Sequence, residues 1–165
     1  MKFEDVIRIR TATRKFDHTL VEKGKIEKIL EAGRLAPTAK NLQPQKIFVV
    51  SSEEGLIQID KASPCRYNAP LVLMVCSDKS RCFQKDGYST YEMDAVIVAT
   101  HMMLEATNLG VDNVWVEMFD KNILKKEFKL KEDLEPICLL MLGYHSSDCS
   151  VNPMHKVRKE LSEIV

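Results

Sequence analysis

The stretch Tyr91–Leu109 carries Ala95, Val96, Ile97, Val98, Ala99, Met102, Met103, Leu104, Ala106 and Leu109. At 3.6 residues per turn these positions fall nearly all round the cylinder rather than along one stripe. Gly110 follows where a helix ends on a left-handed residue. A helix with so little polar face is either central to the fold or buried against a second subunit. The rest of the chain has to be built around it, and 165 residues are enough to bury a core without disulfides or metal.

Other segments read as follows. Glu22–Leu35 places Ile26, Ile29, Leu30 and Gly33 on one face with Lys and Glu opposite, an amphipathic helix stopped by Pro37. Four strands are expected: Lys46–Ser51, Leu71–Ser77, Asp112–Met118 and Pro136–Gly143. The first two show no apolar–polar alternation, so both of their faces are expected to be covered. Asp120 is placed to cap a helix over Lys121–Phe128, and a charged tail spans Lys156–Ile164. The longest connections fall around Ser51–Pro70 and Ser77–Ser89. Two helices precede the first strand, so the order is not a strict βαβ alternation. The expectation is one α+β domain over residues 1–165 with a mixed sheet.

Composition excludes several functions. Lys and Arg number 24, as do Asp and Glu, and a chain of zero formal charge lacks the basic balance of a general nucleic-acid binder. No apolar run approaches the ~18 residues that suggest a membrane span. Met1–Asp5 has no apolar stretch of the kind that opens a secretory signal, which points to the cytoplasm. The zero averages over +5 for residues 1–50, −6 for 51–150 and +1 for 151–165, so both ends are basic. Five cysteines form no Cys-x-x-Cys pair and no His/Cys cluster, so no metal site is expected. Cys76 and Cys138 lie in apolar runs as small core residues. Gly-x-Gly-x-x-Gly, Walker-type and Gly-x-Ser-x-Gly motifs are all missing, and the four histidines are scattered. A hydrolase triad has no support.

Four segments can carry chemistry. Arg8-Ile9-Arg10-Thr11-Ala12-Thr13-Arg14 concentrates guanidinium and hydroxyl groups suited to phosphate oxygens; a solvated helix end accounts for it equally. Leu35–Gln45 sets two prolines around small and amide residues, more than a short turn needs. Trp115–Asp120 lies at a strand end, where ligands of helix-covered sheets usually bind, although Trp115 also suits a core. Met154–Glu160 offers Lys156 and Arg158 to an anion or simply to water.

Together, in this order, the segments resemble the nitroreductase family of FMN-dependent oxidoreductases. The resemblance runs over almost the whole chain, through Arg10–Phe16, Ala36–Pro44, Asp94–Gly110 leading to Trp115, Leu142-Gly143-Tyr144 and Lys156-Val157-Arg158. It implies an intertwined homodimer with two FMN sites at its interface. Arg10, with Thr11 nearby, would hold the FMN phosphate, joined by Lys156 and Arg158. Arg14 would sit at the flavin N1/C2-carbonyl edge. Pro37, Thr38, Ala39 and Asn41 match the loop that the second subunit contributes. Glu117 and Met118 match the strand-end backbone beside flavin N5. The apolar helix would then be the dimer interface.

This sequence departs from the family's pattern in places. Ala12 stands where Ser is usual, removing one hydroxyl from the phosphate. Met118 stands where Gly is common, crowding the flavin face, and Gln45 replaces a frequent Trp. Ser77–Ser89 is short, as in a small member with little to cover the substrate. The resemblance implies electron transfer from NADH or NADPH through FMN to a nitroaromatic or quinone-type acceptor, with no catalytic side chain required because the flavin carries the redox chemistry. The alternatives are a protein that stores, senses or modifies flavin without nicotinamide turnover, and an interaction module that dimerises through its apolar helix.

Overall fold

The computed structural model describes all 165 residues. Its elements are α1 (Phe3–Ile9), α2 (Lys23–Leu35), β1 (Gln45–Val50), α3 (Glu53–Ala62), β2 (Leu71–Asp78), β3 (Gln84–Lys85), β4 (Tyr88–Ser89), α4 (Tyr91–Asn108), β5 (Asp112–Val116), α5 (Lys121–Glu127) and β6 (Leu134–Gly143). β3 and β4 form a separate two-stranded hairpin, and the main sheet has the order β1-β2-β6-β5.

The sheet is a divider with a core on each side. On one face Leu71, Leu73, Val75, Leu140 and Leu142 pack with Ile29 of α2 and with Val98, Met102 and Ala106 of α4. On the other face Val72, Met74, Cys76, Leu139 and Met141 pack with Ile59 of α3 and Leu124 of α5. The central strands β2 and β6 are therefore apolar at consecutive positions, because each successive side chain meets a different covered face. Gly33 is needed where α2 crosses α4, since a Cβ there would lie 2.7 Å from Met102 Cγ.

Pairing in the named strands is antiparallel throughout; the sheet expected to be mixed has one parallel pairing, the isolated bridge Ala12–Asn113. The β2–β6 register slips between Val75 and Cys76, and Cys76 then faces Pro136. The β5 pairing of β6 stops at Val116–Leu139, so at Pro136 one side of the strand is unpaired, a position where proline is tolerated.

Several boundaries differ from expectation. β1 is an edge strand, and Val49 is 45% exposed rather than covered. The Ser51–Pro70 connection contains α3, capped by Ser52 Oγ accepting from Gly55 N–H at 3.2 Å and anchored by the fully buried Ile59. β5 ends at Val116, so Glu117 and Met118 lie beyond the sheet. The charged tail forms only two short 3-10 turns, Pro153–Lys156 and Leu161–Glu163. No helix is long and apolar enough to cross a membrane.

The end of α4 sets the entrance to the site. Gly110 has φ +70°, its N–H donates to Thr107 O at 3.0 Å, and Val111 N–H donates to Ala106 O at 2.8 Å. This is the paired closure of a Schellman motif, and it turns the chain directly into β5.

Candidate active site

Arg10 is the residue on which α1 ends, its N–H donating to Val6 O at 3.0 Å. The following residues run along the edge strand β5: Ala12 bridges Asn113, and Thr13 N–H donates to Asn113 O at 3.0 Å. Phe16 N–H then bonds Tyr67 O at 3.1 Å and Asp17 N–H bonds Tyr144 O at 2.9 Å. The basic segment is thus pinned between the sheet edge and the loop after α3, with its arginines left to project.

Two clefts adjoin Arg10. One, of about 250 Å³, lies between Arg10, Thr11, the end of α4 and the Tyr144–His145 turn. The other, of about 160 Å³, lies between Arg10, Ala12, Arg14 and the C-terminal residues Val151, Asn152, Met154 and His155. The tail is shaped here by Asn152, whose Oδ1 accepts from Met154 N–H at 2.9 Å. Burial, and then the nearby Arg158, hold the Arg10 guanidinium below its ordinary pKa. Arg10, Arg14, Lys156 and Arg158 form no ion pair with any carboxylate. Asp112 lines the first cleft but is bonded to His145, and cations left unpaired in this way suit an external anion.

From Arg14 the site continues to the strand end. Tyr67 lies between Arg14 and Cys65; its phenol is held above the usual range first by hydrogen bonding with Cys65 and then by burial, against the opposing effect of Arg14. Cys65 Sγ is 3.8 Å from Met118 Sδ, and Ser63 Oγ donates to Met118 O at 2.7 Å. The Met118 side chain is 67% exposed. Glu117 Oε1 accepts from Trp115 Nε1–H at 2.9 Å and Glu117 O accepts from Phe119 N–H at 3.0 Å, leaving the N–H groups of Glu117 and Met118 as the part of the turn free to meet a ligand. Ser63, Cys65 and Tyr67 were not singled out from sequence. Their signal, a Ser-Pro-Cys turn inside an apparently plain connection, carries no recognisable spacing.

The amide loop lies elsewhere. Ala39 N–H donates to Asp94 Oδ1 at 2.8 Å, while Thr90 Oγ1–H donates to Asp94 Oδ2 at 2.8 Å. Asp94 is buried in the first turn of α4 and satisfied by both. Thr38 Oγ1 accepts from Gln43 N–H at 3.0 Å, and Lys40, Asn41 and Gln43 take positive φ. Pro37 and Asn41 remain exposed. Asp94 and Thr107, which face the loop and the basic cleft respectively, are separated by about 20 Å along α4 at 1.5 Å per residue. Within one chain, therefore, Arg10, Ala12, Arg14 and Arg158 come together and reach toward Met118, whereas Pro37, Thr38, Ala39 and Asn41 gather at the opposite end of α4. Lys156 closes the 3-10 turn beside the second cleft and is exposed.

The sequence profile of the nitroreductase family matches residues 7–65 and 60–144. The chain belongs to the nitroreductase family. A crystal structure of a nitroreductase family protein from Clostridium difficile 630 superposes with a TM-score of 0.94 at 41% identity, covering 100% of this chain and 97% of that one. An FMN-dependent nitroreductase from Clostridium difficile R20291 superposes with a TM-score of 0.76 at 26% identity, covering 93% and 96%. A relative from Archaeoglobus fulgidus, provisionally named an NADH dehydrogenase/NAD(P)H nitroreductase, is 27% identical over 146 residues, 84% of this chain and 83% of its own length. The α+β fold with helices on both faces of the sheet is the fold of these neighbours.

Proposed function

We propose that the protein is an FMN-dependent oxidoreductase that works as a homodimer, moving electrons from NADH or NADPH to a small organic acceptor of the nitroaromatic or quinone type. The observation that carries the reading is the convergence of Arg10 and Arg158, from opposite ends of the chain, with neither paired to a carboxylate; Asp112, which lines the cleft beside Arg10, is bonded to His145 instead. That donor set fits a phosphate dianion, and the strip from Arg14 through Tyr67 to Met118 fits the edge of a ring system attached to it.

When bound, FMN would supply the hydride and electron-transfer chemistry between the nicotinamide and the acceptor. Arg10, Lys156 and Arg158 hold the phosphate by charge-assisted bonds, with the Thr11 hydroxyl beside them. Ala12 adds only its backbone there. The guanidinium of Arg14 places fixed positive charge at the N1/C2-carbonyl edge, where negative charge gathers on reduction. The backbone of Glu117 and Met118 orients the N5 edge, and the exposed Met118 side chain narrows the approach to it.

The second subunit enters because one chain holds the basic cleft and the amide loop at opposite ends of α4. Pro37, Thr38, Ala39 and Asn41 of a partner would complete the site. Met93, Val96 and Ile97 of α4, and Val151, Met154, Val157, Leu161 and Ile164 of the tail, are exposed apolar side chains that a dimer would cover.

An absorption spectrum of the purified protein, followed by anaerobic addition of NADH and of NADPH, tests the reading. Flavin bands that bleach with either nucleotide are expected. Bands that stay with both would replace it by a flavin store, sensor or flavin-modifying protein without nicotinamide turnover. Protein that takes up no FMN would overturn it, and light scattering at the monomer mass would remove the second subunit.

A further inference from the structure

A cavity of about 420 Å³ opens beside β1, at the edge of the sheet opposite β5; it begins at Pro44 and Gln45, where the amide loop enters β1, and includes none of the residues assigned above to the cofactor. Its apolar wall is formed by Phe48 of β1 and Phe128 just beyond α5, whose rings meet edge to face with centroids 6.4 Å apart. Lys46, Arg81, Lys129 and Lys131 stand around it against one carboxylate, Asp78.

Surface cations ordinarily find carboxylates, but these four form no ion pair. Of the nearby acids, Glu132 and Asp133 are exposed and outside the lining, and the other two are engaged. Glu135 is shared among Lys79, Lys121 and Lys125. Asp78 Oδ1 accepts both the N–H and the hydroxyl of Ser80, at 2.9 and 2.6 Å. Its carboxyl is held below the usual range first by Ser80, then by Arg81 and Lys131. Four cations against one satisfied carboxylate leave a local charge of +3 beside an aromatic wall.

We infer that this cavity is a second small-molecule site, taking a planar aromatic anion of one or two rings that carries a carboxylate or phosphate head. The ring lies against Phe48 and Phe128, where aromatic pairing adds to apolar burial. The head group sits among the cations, Arg81 offering a bidentate fork. The volume lies within the ~300–1,000 Å³ of small-molecule pockets. This inference rests on the cavity alone and not on the flavin reading.

Isothermal titration of the full chain saturated with FMN, using 6-hydroxy-2-naphthoate, its neutral counterpart 2-naphthol and AMP as probes, provides the test. One molecule of naphthoate or AMP is expected per chain, the tighter of the two identifying the head group. Binding should weaken at least tenfold for 2-naphthol relative to the naphthoate. It should weaken at least tenfold in the double variant Arg81→Ala, Lys131→Ala, and again in Lys129→Glu. All three substituted side chains are exposed, and a thermal melt checks that each variant is folded. No heat with either anion, undiminished binding in both variants, or competition of the probe with FMN would overturn the inference. If the protein takes up no FMN, the same titration on the flavin-free chain decides, so the two proposals fail separately.

Discussion

Arg158 lies close enough to Arg10 to oppose its positive charge, and neither guanidinium is paired with a carboxylate. Arg10 is also partly withdrawn from water, so this pair is unfavourable until an anion separates the two charges. The fold tolerates the repulsion because α1 and the β5 bridge fix Arg10 on one side and the capped turn at Asn152 shapes the tail on the other.

Removing either arginine should weaken FMN binding by about 10- to 100-fold, the range for losing one charge-assisted hydrogen bond. In the flavin-free protein Arg158→Ala should leave the melting temperature unchanged or slightly raised, because it relieves the like-charge contact. Fluorescence titration with FMN and with riboflavin checks this. Riboflavin, lacking the phosphate, should bind both variants as it binds the parent, and unchanged FMN affinity in Arg10→Ala would refute the assignment.

Asp94 is the buried carboxylate that ties the amide loop to α4. Asp94→Ala leaves Ala39 N–H without its acceptor and the Thr90 hydroxyl with only the longer contact to Phe83 O at 3.5 Å, a loss of about 2–3 kcal/mol. For a chain of this size that lowers the melting temperature by roughly 4–12 °C. The loop should also open, so that trypsin cuts after Lys40 faster than in the parent. Asp94→Asn, which keeps one acceptor oxygen, should recover part of both effects.

The sequence was most readable where one physical requirement dominates. The all-round apolarity of Tyr91–Leu109 marked α4 as the central helix, and Gly110 marked its end, because few residues other than glycine take that φ. The unbroken apolar runs of β2 and β6 gave the two buried strands. The same reasoning overreached at β1, where Val49 is apolar yet sits on an exposed edge; pattern alone does not distinguish a covered face from one left for another chain. α3 was hidden because its capping Ser52 and its single fully buried anchor, Ile59, lie among residues typical of loops. In the candidate site, Arg10, Arg14 and Arg158 are legible as concentrated positive charge; that they lack ion-pair partners emerges only from the fold. Tyr67 and Cys65 were not legible, since they reach Arg14 and Met118 only through tertiary folding.

Glu22, Tyr144 and Lys25 form a polar clasp between the start of α2 and the end of β6. Tyr144 Oη–H donates to Glu22 Oε2, and Lys25 Nζ lies 3.0 Å from Glu22 Oε1. These bonds, Tyr144 first, bring the Glu22 carboxyl down to about 2. A depressed carboxyl stabilises the fold above its unfolded pKa, near 4.5, and that contribution is lost as pH falls toward 2. Melting temperatures between pH 6 and pH 2 should therefore fall less steeply in Glu22→Gln than in the parent. The group is exposed, so the difference should be small and reduced by added salt. A parallel acid limb in both proteins would show that the clasp contributes nothing.

The five cysteines should divide by accessibility and charge. Burial pushes the Cys76 thiol up to about 12 and raises Cys138 further, and Cys82 is also buried. The reactive species is the thiolate, so these three should resist a disulfide reagent at pH 8 until the protein unfolds. Cys65 and Cys149 are partly exposed and should label in the native state. The two can then be told apart by flavin. Cys65 lies 3.8 Å from the Met118 sulfur, at the strand end assigned to the N5 edge, whereas Cys149 follows the Ser146–Asp148 turn. Saturating FMN should slow labelling of Cys65 several-fold and leave Cys149 much less affected, as read by mass spectrometry of digested protein. Rapid native labelling of Cys76 or Cys138 would contradict the packing of β2 against β6, while equal protection of Cys65 with and without FMN would move the flavin away from Met118.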